Sequence, residues 1–564
     1  MRKTVSLTIT ILVVLSFLLA CAPPAPTAAP TKPAAPTLAT TATAPAATTA
    51  PVAAATKPAA AAATSAPVTK IKRGGTARGG RQNDWETFNP ILSQNNVDDT
   101  DLVYNTLVAF KYNSDTKRFS VVPELAESWD SKDPKAVIFK LRNGIKFHDG
   151  SDFNADAAKF VIDKLLTHPK SQGKENVAAI ESAAVVDPTT VRINLKAPSA
   201  SILPNLSLEA NVRAGMISKA MWDKYGDDFG TAPEKTAGTG PMRLTEWLKS
   251  DHIRLQRFDG YWENGEDGKP LPYLDGYHGR FIADDSVRVL ELRSGNIDIV
   301  NLVAGKDVPA VKANPDLVYW EMPWQGNHYQ MAFNFRKGLF SDNLKLRQAA
   351  LYAVDQENIA KTLGLGQGIP LPYTLGEGML GYDTSVPKYT YDVAKAKQLL
   401  GEAGYPNGMD VELSGVSREV DLRMAQILKV NFDAINLRTS LSSRERIAWV
   451  QQMASGDYEF TTFRGPFRLD PDLHMGYRMS TGGSGNYAGW SNPSFDKCLE
   501  EGRSTYDEKQ RQEIYKRCQT IVYEQAPFGF IWAQVFNNVY NKRLKGLETA
   551  FSGNFRLRRA WLDN

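Results

Sequence analysis

A long stretch without core-forming residues limits what this chain can fold into. Residues 22 to about 70 are almost entirely Ala, Pro and Thr, and their only charges are Lys32, Lys57 and Lys70. The prolines prevent a continuous helix, and no aliphatic periodicity indicates a buried face. We therefore predict a disordered linker over 22–73, which leaves the residues from 74 onward to form the folded part.

The N-terminus has the layout of a signal peptide. Arg2 and Lys3 precede an apolar run that ends at Ala20 and is short for a membrane-spanning helix. The sequence Leu-Leu-Ala-Cys at 18–21 resembles the bacterial lipobox, in which the cysteine is lipidated. This resemblance implies a leader over 1–21, a lipidated Cys21 and a domain anchored to the outer face of the cell membrane. A transmembrane anchor that keeps its leader is the alternative, and it also places the domain outside the cytoplasm.

The basic composition of the chain comes from the leader and the linker. The formal net charge is +4, yet residues 1–73 carry seven basic and no acidic side chains, so the remainder carries a net −3. The sequence pI of about 8.6 is therefore no argument for a nucleic acid as partner.

Two cysteines remain besides Cys21. Cys498 and Cys518 lie in predicted helices on either side of a turn near 504–507. An oxidising compartment permits a disulfide between them. Both states stay open at this point, and two buried free thiols are the state we expect.

The chain from 74 onward is too long for one compact unit, so we predict two or three subdomains of mixed α/β structure. Alternating apolar residues over 139–142 and 145–148, joined by Asn143-Gly144, predict a β-hairpin. Capping residues predict helices that begin at Asn154, Ser341, Asp355, Thr390 or Asp392, and Asp507.

Motifs of catalysis and metal binding are missing from the sequence. It contains no His-Glu-x-x-His, Gly-x-Ser-x-Gly, Cys-x-x-Cys or Walker loop. No two of the six histidines are three or four residues apart, so no helical metal pair is predicted. We therefore expect a protein that is not an enzyme and holds neither cofactor nor metal. A hidden pair of glycosidase carboxylates is the enzymatic alternative.

Five ordered blocks of sequence carry a resemblance to a known family. They are Pro123–Trp129 with Lys146–Gly150, then Gly238–Pro241 with Asp259–Trp262 and Leu290–Asp298, then Phe333–Phe335 with Leu346–Asp355, then Lys397–Pro406, and last Arg511–Pro527. In this order they resemble the peptide- and nickel-type (family 5) extracellular solute-binding proteins of ABC importers. Most of these motifs also have a structural interpretation, and we expect His148 to be a structural histidine.

The resemblance implies a two-lobed, periplasmic-binding-protein-like clamshell of type II (cluster C), with an extra subdomain inserted in the first lobe. Chain order then gives a first lobe of 74–118, 236–325 and 529–564, an inserted subdomain of 119–235 and a second lobe of 326–528. The hinges would lie near 325 and 528. A solute that bridges both lobes stabilises the closed form, which an importer can recognise.

By resemblance, the function is capture of a small solute for an ABC importer. Peptide is the leading solute class, and oligosaccharide and chelated metal are alternatives. A ligand-sensing lipoprotein without a transport role is a further alternative. The implied partners are the solute, the permease pair of the importer and the membrane through the lipid anchor, and we expect a monomer that does not bind nucleic acid.

Aromatic and polar residues near the predicted cleft are candidates for solute contacts. The candidates are Trp85, Asn89, Trp324, Asn327, Trp449, Phe463, Arg464, Phe467, Arg468, Asp470 and Trp490. In peptide-binding relatives an acidic residue pairs with the free α-amino group of the ligand, three residues before an acidic-Pro pair. Phe467 occupies that position here. Either Asp470 or Asp472 replaces the missing acid, or the ligand has no free N-terminus.

Overall fold

Two large β-sheets form the centres of two lobes. The computed structural model describes residues 71–93, 99–113, 115, 118–208, 212–322, 326–465, 468, 470–550 and 555–563. The predicted leader with Cys21 and nearly all of the predicted linker lie outside these residues. Trp324 and Phe467, two of the candidates for solute contacts, lie outside them as well.

The strands of the described part are β1 (Thr76–Arg81), β2 (Val108–Asn113), β3 (Arg118–Pro123), β4 (Ala126–Asp130), β5 (Ala136–Leu141), β6 (Ile180–Asp187), β7 (Thr190–Leu195), β8 (Met242–Leu248), β9 (His252–Arg257), β10 (Gly276–Phe281), β11 (Ile299–Asn301), β12 (Leu317–Glu321), β13 (His328–Phe333), β14 (Gly368–Pro370), β15 (Met409–Val416), β16 (Leu437–Arg444), β17 (Phe460–Gly465), β18 (Phe528–Gln534), β19 (Asn537–Asn541), β20 (Leu544–Lys545), β21 (Glu548–Thr549), β22 (Phe555–Arg556) and β23 (Trp561–Leu562).

The α-helices of the same residues are α1 (Thr100–Val103), α2 (Ala155–Thr167), α3 (Ile202–Asn205), α4 (Lys219–Tyr225), α5 (Asp285–Arg293), α6 (Val308–Lys312), α7 (Leu344–Tyr352), α8 (Gln356–Gly364), α9 (Val393–Glu402), α10 (Glu419–Asp433), α11 (Arg446–Ser455), α12 (Tyr477–Met479), α13 (Pro493–Ser504) and α14 (Glu508–Gln525). A π-helical turn over Asp472–Gly476 leads into α12. None of these helices combines the length and the apolar character that a bilayer crossing requires.

The first lobe is built on a mixed sheet. In the described residues its strand order is β12-β19-β11-β1-β10-β9-β8, with β1 parallel to both β10 and β11. A separate antiparallel sheet, β4-β5-β7-β6, lies in the region predicted as the inserted subdomain. Phe139 of β5, Val161 of α2 and Ile253 of β9 belong to one hydrophobic cluster. The inserted region therefore shares its core with the first lobe.

The second lobe is built on a sheet that is covered on both faces. Its strand order in the described part is β14-β18-β13-β17-β15-β16. All six residues of the central strand β13 are buried. Met331 and Phe333 pack in one hydrophobic cluster and Ala332 in another, since successive side chains of a strand point to opposite faces.

The chain passes between the two sheets twice, after β12 and after β18. The two crossing segments are hydrogen-bonded to each other: Met322 N donates to Phe536 O at 2.8 Å, and Gly326 N donates to Gln534 O at 2.9 Å. The first crossing runs from the end of β12 at Glu321 to the start of β13 at His328, and the hinge near 325 stays a prediction. The second falls at 535–536 and not at 528, because β18 pairs with β13 and β14 in the second sheet. Residues 529–534 thus lie in the second sheet, not in the first lobe as we expected.

Helix starts were predicted well where a capping side chain was present. Asn154 accepts a hydrogen bond from Ala157 N at 3.0 Å, and Asp355, Asp392 and Asp507 accept equivalent bonds at the starts of α8, α9 and α14. These four caps are confirmed. The predicted start at Ser341 was wrong, because the Ser341 hydroxyl donates to Gly338 O and Asn343 caps α7 instead.

The predicted hairpin over 139–148 was also wrong. β5 pairs with β4 and β7, and no strand follows Asn143-Gly144. The segment bends instead, with Phe147 N donating to Ser151 O and Phe153 N donating to Ile145 O, both at 2.9 Å. Ile145 and Phe147 are buried, as the alternating pattern indicates, but they belong to a loop and not to a strand.

The two cysteines of the second lobe are bonded to each other. Cys498 on α13 and Cys518 on α14 form a disulfide. The expectation of two free thiols was wrong. α13 and α14 pack side by side and the cysteines face each other across the turn between them, which the sequence indicates only as proximity along the chain.

Candidate functional site

The inserted region of the first lobe contacts the second lobe through its segment 199–201. Ala200 N donates to Arg503 O at 2.8 Å, and the Ser201 hydroxyl donates to Asp472 Oδ2 at 3.3 Å. The Tyr506 hydroxyl donates to Pro134 O at 3.1 Å. Asp472 thus lies next to the first lobe, and we take the described residues around it, Arg468 and 470–478, as the candidate site.

The two acidic residues of this segment are paired inside the second lobe. Asp470 accepts from Arg511 Nη1 at 2.7 Å and Nη2 at 2.9 Å, and both side chains are buried. Asp472 accepts from Arg503 Nη2 at 2.9 Å. Bidentate arginine pairs of this kind are strong charge-assisted hydrogen bonds. The carboxylate of Asp470, a candidate for ligand contact, is therefore already neutralised, and so is that of Asp472.

The surroundings of Arg468 and Arg478 in the same segment lower the pKa values of both side chains. The Arg468 guanidinium lies over the ring of Tyr477, at 4.5 Å from its centroid, and burial lowers the pKa of Arg468. Arg478 is 2% exposed. Burial, with a smaller effect of the positive charge of Arg468, lowers the pKa of Arg478 to about 10. Arg464 is exposed near the end of β17. Arg468 and Arg478 are thus two arginines close enough for the charge of one to lower the pKa of the other.

Two neutral histidines lie beside Arg478. The rings of His328 and His474 are 5.3 Å apart between centroids and are fully buried. Burial holds the pKa of each well below 6.5, and the charge of Arg478 lowers both further. Both rings are therefore neutral at physiological pH and do not add to the charge of the segment.

Gln330 is a buried polar residue that we did not predict. It is 0% exposed, and within the described residues neither its side-chain oxygen nor its nitrogen has a hydrogen-bond partner. The sequence signal for Gln330 is weak: it is a polar residue in the strand His328–Phe333, two positions after His328. Arg478 and His474 were missed because their proximity to β13 depends on folding.

The aromatic candidates of the second lobe form part of its core. Trp449 packs against Phe463 and Tyr487, and its Nε1 donates to Thr461 Oγ1 at 2.9 Å. Trp490 packs against the ring of Phe495 in the same hydrophobic cluster. Trp449, Phe463 and Trp490 are all less than a tenth exposed, so their ring faces are covered by protein.

The candidates of the first lobe are also buried. Trp85 lies in the hydrophobic cluster of the first lobe, with the Arg81 guanidinium 5.0 Å from its ring centroid. Asn89 Oδ1 accepts from Ile91 N at 3.1 Å and from Leu92 N at 3.3 Å, so it stabilises a local turn. Asn327 lies at the first crossing and is partly exposed.

His148 has the structural role that we expected. Its Nδ1 accepts from Gly238 N at 3.3 Å, which leaves the proton on Nε2 to donate to Gly240 O at 2.9 Å. Burial lowers the pKa of His148 to about 4, which agrees with a neutral ring. A side chain on Gly240 would overlap the backbone of Val103. The motif Gly238–Pro241 therefore needs glycine at this position, because its backbone closely approaches that of Val103.

Comparison with known proteins places the chain in a family. A family model described as bacterial extracellular solute-binding proteins, family 5, middle region, matches residues 120–487. The dipeptide-binding protein of Escherichia coli (strain K12) is 30% identical over 499 residues, which cover 82% of this chain and 90% of that protein. The glutathione-binding protein GsiB of Pectobacterium atrosepticum is 29% identical over 460 residues, or 78% of this chain and 86% of that protein.

Solved structures share the same two-lobed fold. HbpA2 from Haemophilus parasuis superposes with a TM-score of 0.77 at 23% identity, over 87% of this chain and 100% of that chain. The binding protein DppA from Helicobacter pylori, in complex with the peptide STSA, gives 0.69 at 25% identity, over 87% of this chain and 99% of that chain. The predicted α/β clamshell is confirmed, and the protein belongs to the family 5 bacterial extracellular solute-binding proteins.

Proposed function

We propose that this protein captures small peptides or peptide-like solutes between its two lobes and delivers them to an ABC importer. The observation that carries the proposal is the match with the dipeptide-binding protein, which extends over 90% of that relative and so includes both lobes. The paired crossing segments after β12 and β18 support it, since two short connections between sheets are a geometry that allows hinge closure.

The site that we propose is the boundary between the inserted region and the segment 468–478. Arg468, which is partly exposed, is the candidate whose polar group is best placed to meet a solute. Arg464 pairs with Tyr329 on β13, so it lies on the other face of the sheet from His328. Trp449, Phe463 and Trp490 would act as the core behind the site, because their faces are covered. That covering also weakens the oligosaccharide alternative, which needs exposed ring faces for stacking.

We further propose that the protein is lipidated at Cys21, works as a monomer and has no catalytic activity. The lipobox-like Leu-Leu-Ala-Cys at 18–21 supports the anchor. Metabolic labelling with a radioactive fatty acid should label the native chain and not the Cys21→Ala variant. Equal labelling of both would contradict the anchor.

A binding screen tests the solute class. The purified folded part is heated with mixtures of di- to pentapeptides, with β-linked oligosaccharides and with nickel–histidine chelates. A ligand that binds only the native state raises the melting temperature with the logarithm of its concentration. We expect peptides alone to do so. Stabilisation by an oligosaccharide alone would contradict the proposal, and chemical turnover of a bound peptide would contradict the absence of catalysis.

A further inference from the structure

A corner of the second lobe docks on the inserted region of the first lobe. The corner is the turn between α13 and α14, residues 503–507, and a disulfide joins these two helices. The inserted region meets the corner with the turn before β5 and with the segment after β7. These two pieces lie side by side, because β5 pairs with β7 and Leu195 N donates to Lys135 O at 2.8 Å. Residues 133–135 and 196–201 therefore form one docking surface.

The last turn of α13 receives one of its hydrogen bonds from the inserted region. The final carbonyl groups of a helix have no partner within the helix itself. In α13, Gly502 O accepts from Arg511 Nε of the same lobe at 2.8 Å. The next carbonyl, Arg503 O, accepts from Ala200 N of the docking surface, also at 2.8 Å. The inserted region thus completes the end of a helix that belongs to the second lobe.

Tyr506 makes a side-chain contact between the same two surfaces. Its hydroxyl donates to Pro134 O at 3.1 Å and accepts a hydrogen bond from the Ser199 backbone. Burial raises the pKa of Tyr506, so the hydroxyl keeps the proton that it donates. Pro134 belongs to one piece of the docking surface and Ser199 to the other. A single hydroxyl therefore joins the corner to both pieces.

Two buried serines add a third contact. Ser199 and Ser201 are each 3% exposed, and their hydroxyl oxygens lie 3.1 Å apart. The Ser201 hydroxyl donates to Asp472 Oδ2 at 3.3 Å, which leaves the Ser199 hydroxyl to donate to Ser201 Oγ. Asp472 is held at the same time by Arg503. The docking surface thus contacts the corner and the acidic residue that is paired with it.

The contact between the corner and the docking surface requires the lobes to be closed. Neither surface belongs to the two crossing segments, so rotation of the lobes about those segments separates them. We propose that this contact is a latch, in which Tyr506, Ala200 and Ser201 stabilise the closed form by contacting the other lobe and not the solute. This inference rests on the proposed function and assigns the inserted region a role in it. Because the apparent Kd depends on the population of the closed form, the latch changes the affinity for every solute by the same factor.

The experiment measures the affinity of latch variants for two different peptides. A random mixture of tri- to pentapeptides is passed over the immobilised native protein, and the two retained peptides that differ most in net charge are synthesised for calorimetry. Tyr506→Phe removes the hydroxyl that joins both pieces of the docking surface. We expect the Kd of both peptides to rise by the same factor, about three- to tenfold. Ser201→Ala removes a longer hydrogen bond and should raise both Kd values about twofold.

Kinetics and a matched control isolate the latch. The latch forms after the peptide has entered, so Tyr506→Phe should raise the dissociation rate constant by the same factor as the Kd and leave the association rate constant unchanged. Tyr391→Phe removes the hydroxyl of a tyrosine of the second lobe that is 46% exposed, and its Kd should equal that of the native protein. The melting temperature of unliganded Tyr506→Phe should also equal that of the native protein, because the latch stabilises the closed form.

The outcomes separate the latch from other roles of these residues and from the proposed function. A rise in Kd for only one of the two peptides would mean that Tyr506 contacts the solute, and it would overturn the inference. An unchanged Kd for both peptides would overturn it too, whether or not the melting temperature of the unliganded variant falls. Both results leave peptide capture intact. Failure of the native protein to retain any peptide of the mixture would contradict peptide capture itself.

Discussion

At the scale of single residues, Arg558 joins the C-terminal part of the chain to the first lobe. Its guanidinium lies 3.4 Å from Glu124 and 3.2 Å from Glu263, and its side chain is 6% exposed. Glu124 also accepts hydrogen bonds from Asn105 Nδ2 and Thr106 N, each at 3.0 Å. The sequence block around Glu124 thus has a structural role, and the arginine that pairs with Glu124 lies more than four hundred residues away in sequence.

Substitution of Arg558 should therefore be severe. In Arg558→Met, the buried carboxylate of Glu124 loses its counter-charge, whereas Glu263 keeps its pair with Arg559. We expect the free energy of unfolding to fall by about 3–5 kcal/mol. Urea denaturation measures the change. Arg517→Gln breaks an exposed pair with Glu501 and should cost less than about 1 kcal/mol. Similar losses in the two variants would contradict the structural role of Arg558.

At the scale of elements, the cap of α2 gives a direct test of how a local signal specifies structure. Asn154 satisfies the Ala157 amide at the start of a helix that buries Val161 and Leu165. Asn154→Ala should lower the free energy of unfolding by about 1 kcal/mol, whereas Asn154→Asp should keep it within a few tenths. Chemical denaturation of both variants checks this. Equal losses would mean that the side chain acts through packing and not through the cap.

The disulfide between α13 and α14 makes a second prediction at this scale. It closes a loop with a sequence separation of 20 residues. In the chain-entropy model, opening a loop of this size costs about 3 kcal/mol of stability. The double variant Cys498→Ser with Cys518→Ser should therefore unfold at a lower urea concentration than the native protein. A reductant should lower the urea midpoint of the native protein and leave that of the variant unchanged. An unchanged native midpoint under full reduction would contradict the prediction.

These elements show which features can be predicted from sequence. Caps at Asn154 and Asp355 were predictable, because a cap depends on residues three apart. The partners of β5 were not predictable, and the hairpin expected at Asn143-Gly144 does not form, since β5 pairs with residues 126–130 and 190–195. The pairing of Asp470 with Arg511 spans 41 residues and likewise depends on the folded arrangement.

At the scale of the whole molecule, buried neutral histidines couple folding to pH in both lobes. His148 connects two loops of the first lobe, and His328 and His474 lie against the second sheet. Burial is the main cause that lowers the pKa of each, to about 4 for His148. A histidine in the unfolded chain titrates near about 6.5. Below that pH the unfolded chain binds protons that the folded protein cannot accept.

The sign of the pH effect follows from this difference. The contribution of these histidines to stability is complete above about pH 6.5 and is lost as the pH falls toward 4. Each should remove about 2 kcal/mol between about pH 6.5 and pH 5. Urea denaturation at several pH values in this window measures the slope, and His148→Gln should reduce it by about one proton. A stability that stays constant across the window would mean that the rings can be protonated inside the folded lobes.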